Sequence, residues 1–388
     1  MPTITERRWE TPLTRSPGQP RPSIPLARPD VGPRELELVT QVLRSDVLAM
    51  GPFTQRFEAG IAAVAGRREG VACSSGTAGL HLGVRALEIG EGDEVITTPF
   101  SFVASANCLL YERAVPRFVD IEEDSLGIDP DLVEAAASDR TRAILPVHVF
   151  GRPCRIEAIE MVARRRGWAI IEDACEGLGS SVGGRPLGSF GDVAVFAFYP
   201  NKQITTGEGG MAVTDDPLLA ETMRSLRNQG RDADGTWLRH VRLGYNYRLD
   251  EMSAAVGVAQ LERLEELRAG RARVAAAYER ALGRHDWVTL PRTGSGELVD
   301  WFVYVVRLHP EIDRDGLIGR LAALGVPSRP YFAPIHLQPF YRATFGFKPG
   351  DFPVTERVAA STLALPFSSR LTDDEVAYVA DALIDVTR

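Results

Sequence analysis

Lysine is nearly missing from this chain: of its 44 basic residues, all but Lys202 and Lys348 are arginine. A guanidinium keeps its proton and cannot attack a carbonyl, so side-chain amine chemistry rests with these two positions. Cysteine is scarce as well, with Cys73, Cys108, Cys154 and Cys175 scattered along 388 residues. No CxxC or HExxH pattern occurs, which excludes the common zinc frameworks and leaves no metal expected. The four thiols read as reduced cysteines of a cytoplasmic protein. No apolar run approaches the roughly 18 residues of a membrane span, and the N-terminus lacks a signal-peptide core. Basic charge is in deficit: the formal net charge is −8. That argues against nucleic acid as a partner, while leaving room for a local basic pocket that takes a diphosphate.

What is present is the composition of a globular protein, 44% hydrophobic and 25% charged, long enough for one large and one smaller domain. Residues 1–22, rich in proline, read as a disordered N-terminal arm. Short apolar runs at 94–98, 143–147, 169–173, 193–198 and 211–214 read as strands, with helical patterns between them at 81–87, 102–111 and 155–166. Such alternation predicts an α/β fold with a mostly parallel sheet. Asp250 predicts an N-cap for a helix to about residue 267, followed by a long helix over 271–282. After that the pattern changes to a strand over 301–306 and helices over 314–324 and 373–386. The expected division is a large domain over 23–268 and a smaller α+β domain over 269–388.

Four fragments carry the chemistry. Cys73-Ser74-Ser75-Gly76-Thr77-Ala78 places small hydroxyl residues before an apolar helix, where open amides can bind phosphate. Ile170-Ile171-Glu172-Asp173-Ala174-Cys175-Glu176 puts acids at the end of a buried strand, where a carboxylate needs a cationic partner. Lys202 follows Tyr199-Pro200-Asn201 and precedes the turn Gly207-Glu208-Gly209-Gly210. Gly244-Tyr245-Asn246-Tyr247-Arg248-Leu249 is a polar-aromatic turn before a helix. Taken one at a time, these also fit ordinary capped helices and solvated turns. Lys348, in Gly346-Phe347-Lys348-Pro349-Gly350, reads as a solvated loop residue.

Taken together and in order, the fragments resemble the fold type I aminotransferases that use pyridoxal 5'-phosphate. The closer likeness is to the DegT/DnrJ/EryC1/StrS nucleotide-sugar aminotransferases, among which the perosamine-synthase-like branch also has glutamate where this chain has Glu176. Ile24-Pro25-Leu26-Ala27-Arg28-Pro29 and Thr98-Pro99-Phe100-Ser101-Phe102-Val103-Ala104 belong to the same likeness. The resemblance implies that Lys202 condenses with the cofactor aldehyde and later shuttles a proton. It implies that Asp173 pairs with the pyridinium nitrogen, and that Phe102 stacks on the ring. Ser75, Gly76 and Thr77 would hold the phosphate, Glu176 would lie beside the phenolic oxygen, and Asn246 would reach the phosphate of a partner subunit in a homodimer. Where many members have a phosphate-binding serine five residues before the lysine, this chain has Ala197. Tyr331, His336 and Arg248 are candidates for substrate contact.

The implied reaction moves an amino group from glutamate or glutamine, through the pyridoxamine form, to a nucleotide-linked keto-sugar. A cyclitol ketone as acceptor would use the same residues. A sugar dehydratase of the same family would carry histidine in place of Lys202. A scaffold protein that kept only the fold would be expected to have lost Lys202 or Asp173.

Overall fold

A computed structural model describes residues 24–232, 236 and 238–387. The arm expected over 1–22 lies outside the described residues. Seven strands form the main sheet: β1 (Glu69–Cys73), β2 (Glu94–Thr97), β3 (Val115–Phe118), β4 (Thr141–Leu145), β5 (Ala169–Asp173), β6 (Val193–Ala197) and β7 (Gly210–Thr214). Their spatial order is β1-β7-β6-β5-β4-β2-β3. All neighbours pair in parallel except those of β7, which runs antiparallel to both β1 and β6.

The middles of the central strands are buried and apolar because both faces of the sheet are covered. Successive side chains point to opposite faces. Val193 and Val195 meet Leu80 and Leu82 of the helix Gly76–Ala86 on one side. Ala194 and Phe196 meet Phe57 and Ile61 of the helix Pro52–Val64 on the other. A second, three-stranded antiparallel sheet joins Val288–Thr289, Tyr304–Leu308 and Thr362–Leu365. It packs a separate core with Leu317, Leu321, Val379 and Leu383 from the helices Arg314–Ala323 and Asp373–Thr387.

Two expectations shift. The helix expected from Asp250 to about 267 breaks at Arg263 (φ −113°, ψ 11°), giving Glu251–Glu262 and then one continuous helix Leu264–Leu282. Position 268, where the division between domains was expected, falls inside this second helix. Its start, Leu264 and Leu267, joins the core of the large sheet, and its end, Val274, Tyr278 and Leu282, joins the core of the small one. The strand expected over 301–306 is displaced to Tyr304–Leu308, because the carbonyls of Trp301 and Phe302 accept hydrogen bonds from Arg271 instead of entering a ladder. No helix among the described residues is long and apolar enough to cross a membrane.

Candidate active site

The carboxyl ends of the parallel strands converge on one cavity of about 580 Å³, the position at which open α/β sheets bind ligands. Eight of the residues singled out from sequence line it: Ser75, Gly76, Thr77, Phe102, Asp173, Glu176, Lys202 and Tyr331.

The floor is the start of the helix Gly76–Ala86. Ser75 is its N-cap, and Ser75 Oγ accepts the amide of Ala78 at 3.1 Å. That leaves the Ser75 hydroxyl proton free to donate. The amides of Gly76 and Thr77 have no acceptor within the helix, so they present an anion cradle. Strand β7 presses on this loop so closely that a Cβ at Gly210 would lie 2.3 Å from the Ser75 carbonyl oxygen. Only glycine fits there. Ala197, at the end of β6, lines the cavity beside Gly76 with a methyl in place of a hydroxyl.

One wall is acidic. Asp173 closes β5 and is 5% exposed. Its Oδ1 accepts the amide of Cys175 at 3.1 Å, and its Oδ2 accepts the Ser105 hydroxyl at 2.7 Å. These two bonds fix the carboxylate plane and leave further lone pairs for a cation in the cavity. Glu172, the neighbouring acid, points to the opposite face. It accepts from His148 Nε2 at 2.9 Å and from the amides of Gly188 and Phe190, so it shapes the loop after the strand and stays out of the cavity.

Lys202 faces this wall. Its Nζ lies 3.4 Å from Glu176 Oε1 and 3.8 Å from the centroid of the Phe302 ring. The side chains of Lys202 and Glu176 are 11% and 9% exposed, so the amine is reachable only through the cavity. The other oxygen of Glu176 accepts the amide of Phe150 at 2.8 Å. Burial pushes the Glu176 carboxyl above its ordinary range, against the opposing pull of Lys202. Phe150 holds this amide in place with a left-handed backbone (φ 60°, ψ 23°), a conformation that large side chains rarely adopt. The loop bearing Lys202 is braced from below by Arg271. The Nη2 of Arg271 donates to the carbonyls of Asn201 and Lys202, and its Nη1 to those of Trp301 and Phe302 at 3.2 and 3.0 Å. Burial lowers the Arg271 pKa to about 10.

Three residues expected from sequence lie elsewhere. His336 is fully buried, bonded through Nε2 to Glu356 at 3.0 Å and packed edge-on against Phe352. It braces its own loop and does not line this cavity. Arg248 is tied to Asn228 Oδ1 at 2.9 Å and does not line the cavity either. Asn246 is exposed on its turn, away from this chain's own cavity. The turn is locked by His81, which links Tyr247 Oη at 3.0 Å to Glu112 at 2.8 Å, while Tyr245 donates to the same carboxylate at 2.6 Å. Burial keeps the His81 pKa below its ordinary 6.5.

Ser105, Phe302, Phe150 and Arg271 escaped sequence reasoning. No local signal marked Ser105, whose hydroxyl lies 2.8 Å from that of Ser101 just ahead of the helix. For Arg271, on a helix surface pattern, no local signal existed. The cavity thus offers an amine, an acid opposite it, an anion cradle and the exposed face of Phe102, 61% exposed, for a flat ring. This donor set fits pyridoxal phosphate.

The sequence matches the family described as "DegT/DnrJ/EryC1/StrS aminotransferase family" over residues 29–384. It is 39% identical to the GDP-perosamine synthase of Caulobacter vibrioides, covering 94% of this chain and 98% of that protein. Among solved structures it is similar to DesV of S. venezuelae, at 36% identity and a TM-score of 0.86, with 91% of this chain and 94% of that chain covered. DesI, solved in the presence of its TDP-sugar product, aligns at 34% identity and a TM-score of 0.87, over 94% of this chain and 93% of that one. With this match over nearly its whole length, the chain belongs to the DegT/DnrJ/EryC1/StrS aminotransferase family.

Proposed function

We propose that this protein transfers an amino group from glutamate or glutamine to a keto-sugar carried on a nucleotide, with pyridoxal phosphate held in the 580 Å³ cavity. The observation that carries the reading is the convergence in one cavity of Lys202 Nζ, Asp173 and the open amides of Gly76 and Thr77. When bound, the cofactor supplies an aldehyde that captures amines and a ring that withdraws electrons. Every other part of the task falls to the chain.

Gly76, Thr77 and the Ser75 hydroxyl would hold the phosphate, and Phe102 would cover one ring face. Asp173, oriented by Ser105 and the Cys175 amide, would hold the proton on the ring nitrogen. Lys202 Nζ would take the proton from the donor's Cα and return it to the acceptor carbon. Glu176 sits with one oxygen fixed by Phe150 and the other toward Lys202. Burial raises the Glu176 pKa against the pull of Lys202, which eases like-charge contact with a phenolic oxygen beside it. Tyr331, at the cavity wall, is placed to touch the substrate.

The names of the relatives support the sugar: one is a GDP-perosamine synthase, and DesI was solved with a TDP-sugar product. Asn246, exposed on a rigid turn, supports a homodimer in which each subunit completes the other's phosphate site. The four cysteines form no disulfide, in keeping with a cytoplasmic setting. Incubation with glutamate or glutamine and a panel of GDP-, TDP- and UDP-linked keto-sugars, read by mass, tests the reading. A product heavier by replacement of C=O with CH–NH2 supports it. Amination of a cyclitol ketone and of no nucleotide sugar would overturn the sugar assignment while leaving the transaminase standing.

A further inference from the structure

A second cavity of about 340 Å³ lies between the two sheets, beyond Phe150. Its volume is at the lower end of the range for small-molecule sites, about 300–1,000 Å³. The walls are flat and apolar where Phe150, Trp301 and Val305 meet, and cationic where Arg152, Arg292 and Arg307 gather.

Arg152 is the informative residue. It is 9% exposed, and its one side-chain hydrogen bond runs from Nη1 to the Asp124 carbonyl at 2.7 Å. Its buried Nε has no partner, and among the described residues no carboxylate forms an ion pair with it. A buried guanidinium normally has an anion, because burying a lone charge is costly. The nearby acids Asp124 and Glu297 attract Arg152 from a distance but form no ion pair with it. Glu123 is shared between Arg307 at 3.1 Å and Arg357 at 2.7 Å, and Glu297 accepts the Gly294 amide at 2.7 Å. The wall therefore presents a buried guanidinium without an ion-pair partner beside an indole and a phenyl ring.

We infer that this cavity is a binding site for a small anion with a flat apolar body, a carboxylate or phosphate head meeting Arg152 and the body lying against Trp301 and Phe150. A planar, bidentate donor such as arginine suits either head. The site is distinct from the catalytic cavity, from which the side chain of Phe150 divides it: that ring stacks on Phe332 of the catalytic wall at 5.2 Å.

Benzoate and phenyl phosphate serve as probes, with neutral benzamide as control, on the cofactor-loaded protein. Binding is read from tryptophan fluorescence, with Trp301→Phe identifying the reporter, and by calorimetry. Saturable binding of either anion, absent for benzamide, is expected, and which of the two binds more tightly assigns the head group. Arg152→Gln is expected to weaken it by about tenfold or more. Arg292→Gln, an exposed loop change that leaves the core untouched, is expected to weaken it by a smaller factor. Occupation of the catalytic cavity by pyridoxal phosphate should leave the affinity unchanged. No saturable binding by either anion, wild-type affinity in both arginine variants, or loss of binding on cofactor loading would each overturn the inference.

Discussion

Ser105 Oγ donates to Asp173 Oδ2 at 2.7 Å, tying the first turn of the helix Ala104–Leu110 to the last residue of β5. Asp173 can meet a ring nitrogen squarely only if its carboxylate does not rotate, and Ser105 supplies one of the two bonds that stop it. Ser105→Ala should therefore weaken catalysis without unfolding the protein. A hydrogen bond to a charged group contributes about 1.5–3 kcal/mol, so kcat/KM should fall roughly tenfold to a hundredfold. Single-turnover kinetics of the half-reaction with the amino donor measures this, and an unchanged kcat/KM would remove Ser105 from the site.

Lys202→Arg should abolish turnover. The guanidinium keeps the positive charge beside Glu176 and Phe302 but cannot bond to an aldehyde. Borohydride treatment of the wild-type holoprotein should add the cofactor's mass to the peptide containing position 202, and the variant should show none. Full activity in the variant would contradict the assignment of Lys202.

Ala197→Ser tests the phosphate cradle from the opposite direction. The Ala197 methyl sits beside Gly76, so a hydroxyl there can reach an anion held by the Gly76 and Thr77 amides. Cofactor dissociation, followed by dialysis against a competing apoprotein, should slow by up to about tenfold, or 1.4 kcal/mol.

Arg271→Lys should destabilise the fold as well as the site. The arginine serves four backbone carbonyls at once, and an ammonium on a shorter stem cannot reach both pairs. Each buried carbonyl left unpaired costs about 1–3 kcal/mol, so with one pair lost a drop of about 2–6 kcal/mol is expected in urea denaturation. Because two of those carbonyls belong to Asn201 and Lys202, cofactor retention should fall in parallel.

The Asn246 turn should loosen in acid. His81 is buried among Tyr247, Tyr245, Tyr111, Arg85 and Glu112, and burial depresses its folded-state pKa below 6.5. A depressed histidine contributes stability that is present above 6.5 and lost as pH falls through the folded value. The thermal midpoint of the wild type should drop over that interval more steeply than that of His81→Gln. Matching slopes for the two proteins would show that His81 does not titrate on unfolding.

The sheet and the cavity were largely legible because their signals are local. β4, β5, β6 and β7 are runs of buried aliphatics, and Lys202 stands out by the rarity of its kind. β1 and β3 were not legible: a glycine in Glu69–Cys73 and a proline and an arginine in Val115–Phe118 interrupt their apolar pattern. The break at Arg263 was hidden because leucines continue at helical spacing on both sides of it. The settings of His336 and Arg271 were not legible for a common reason. What a polar side chain does depends on partners far away in sequence, Glu356 for one and the carbonyls around Lys202 for the other. Spacing along the chain carries no record of them.

The helix Leu264–Leu282 is rooted at one end in the large core and at the other in the small one. Nineteen residues without a kink make a stiff beam. Neither unit can swing away from the other without bending that beam or tearing out one of its anchors. Heating should melt both halves together, as one calorimetric peak.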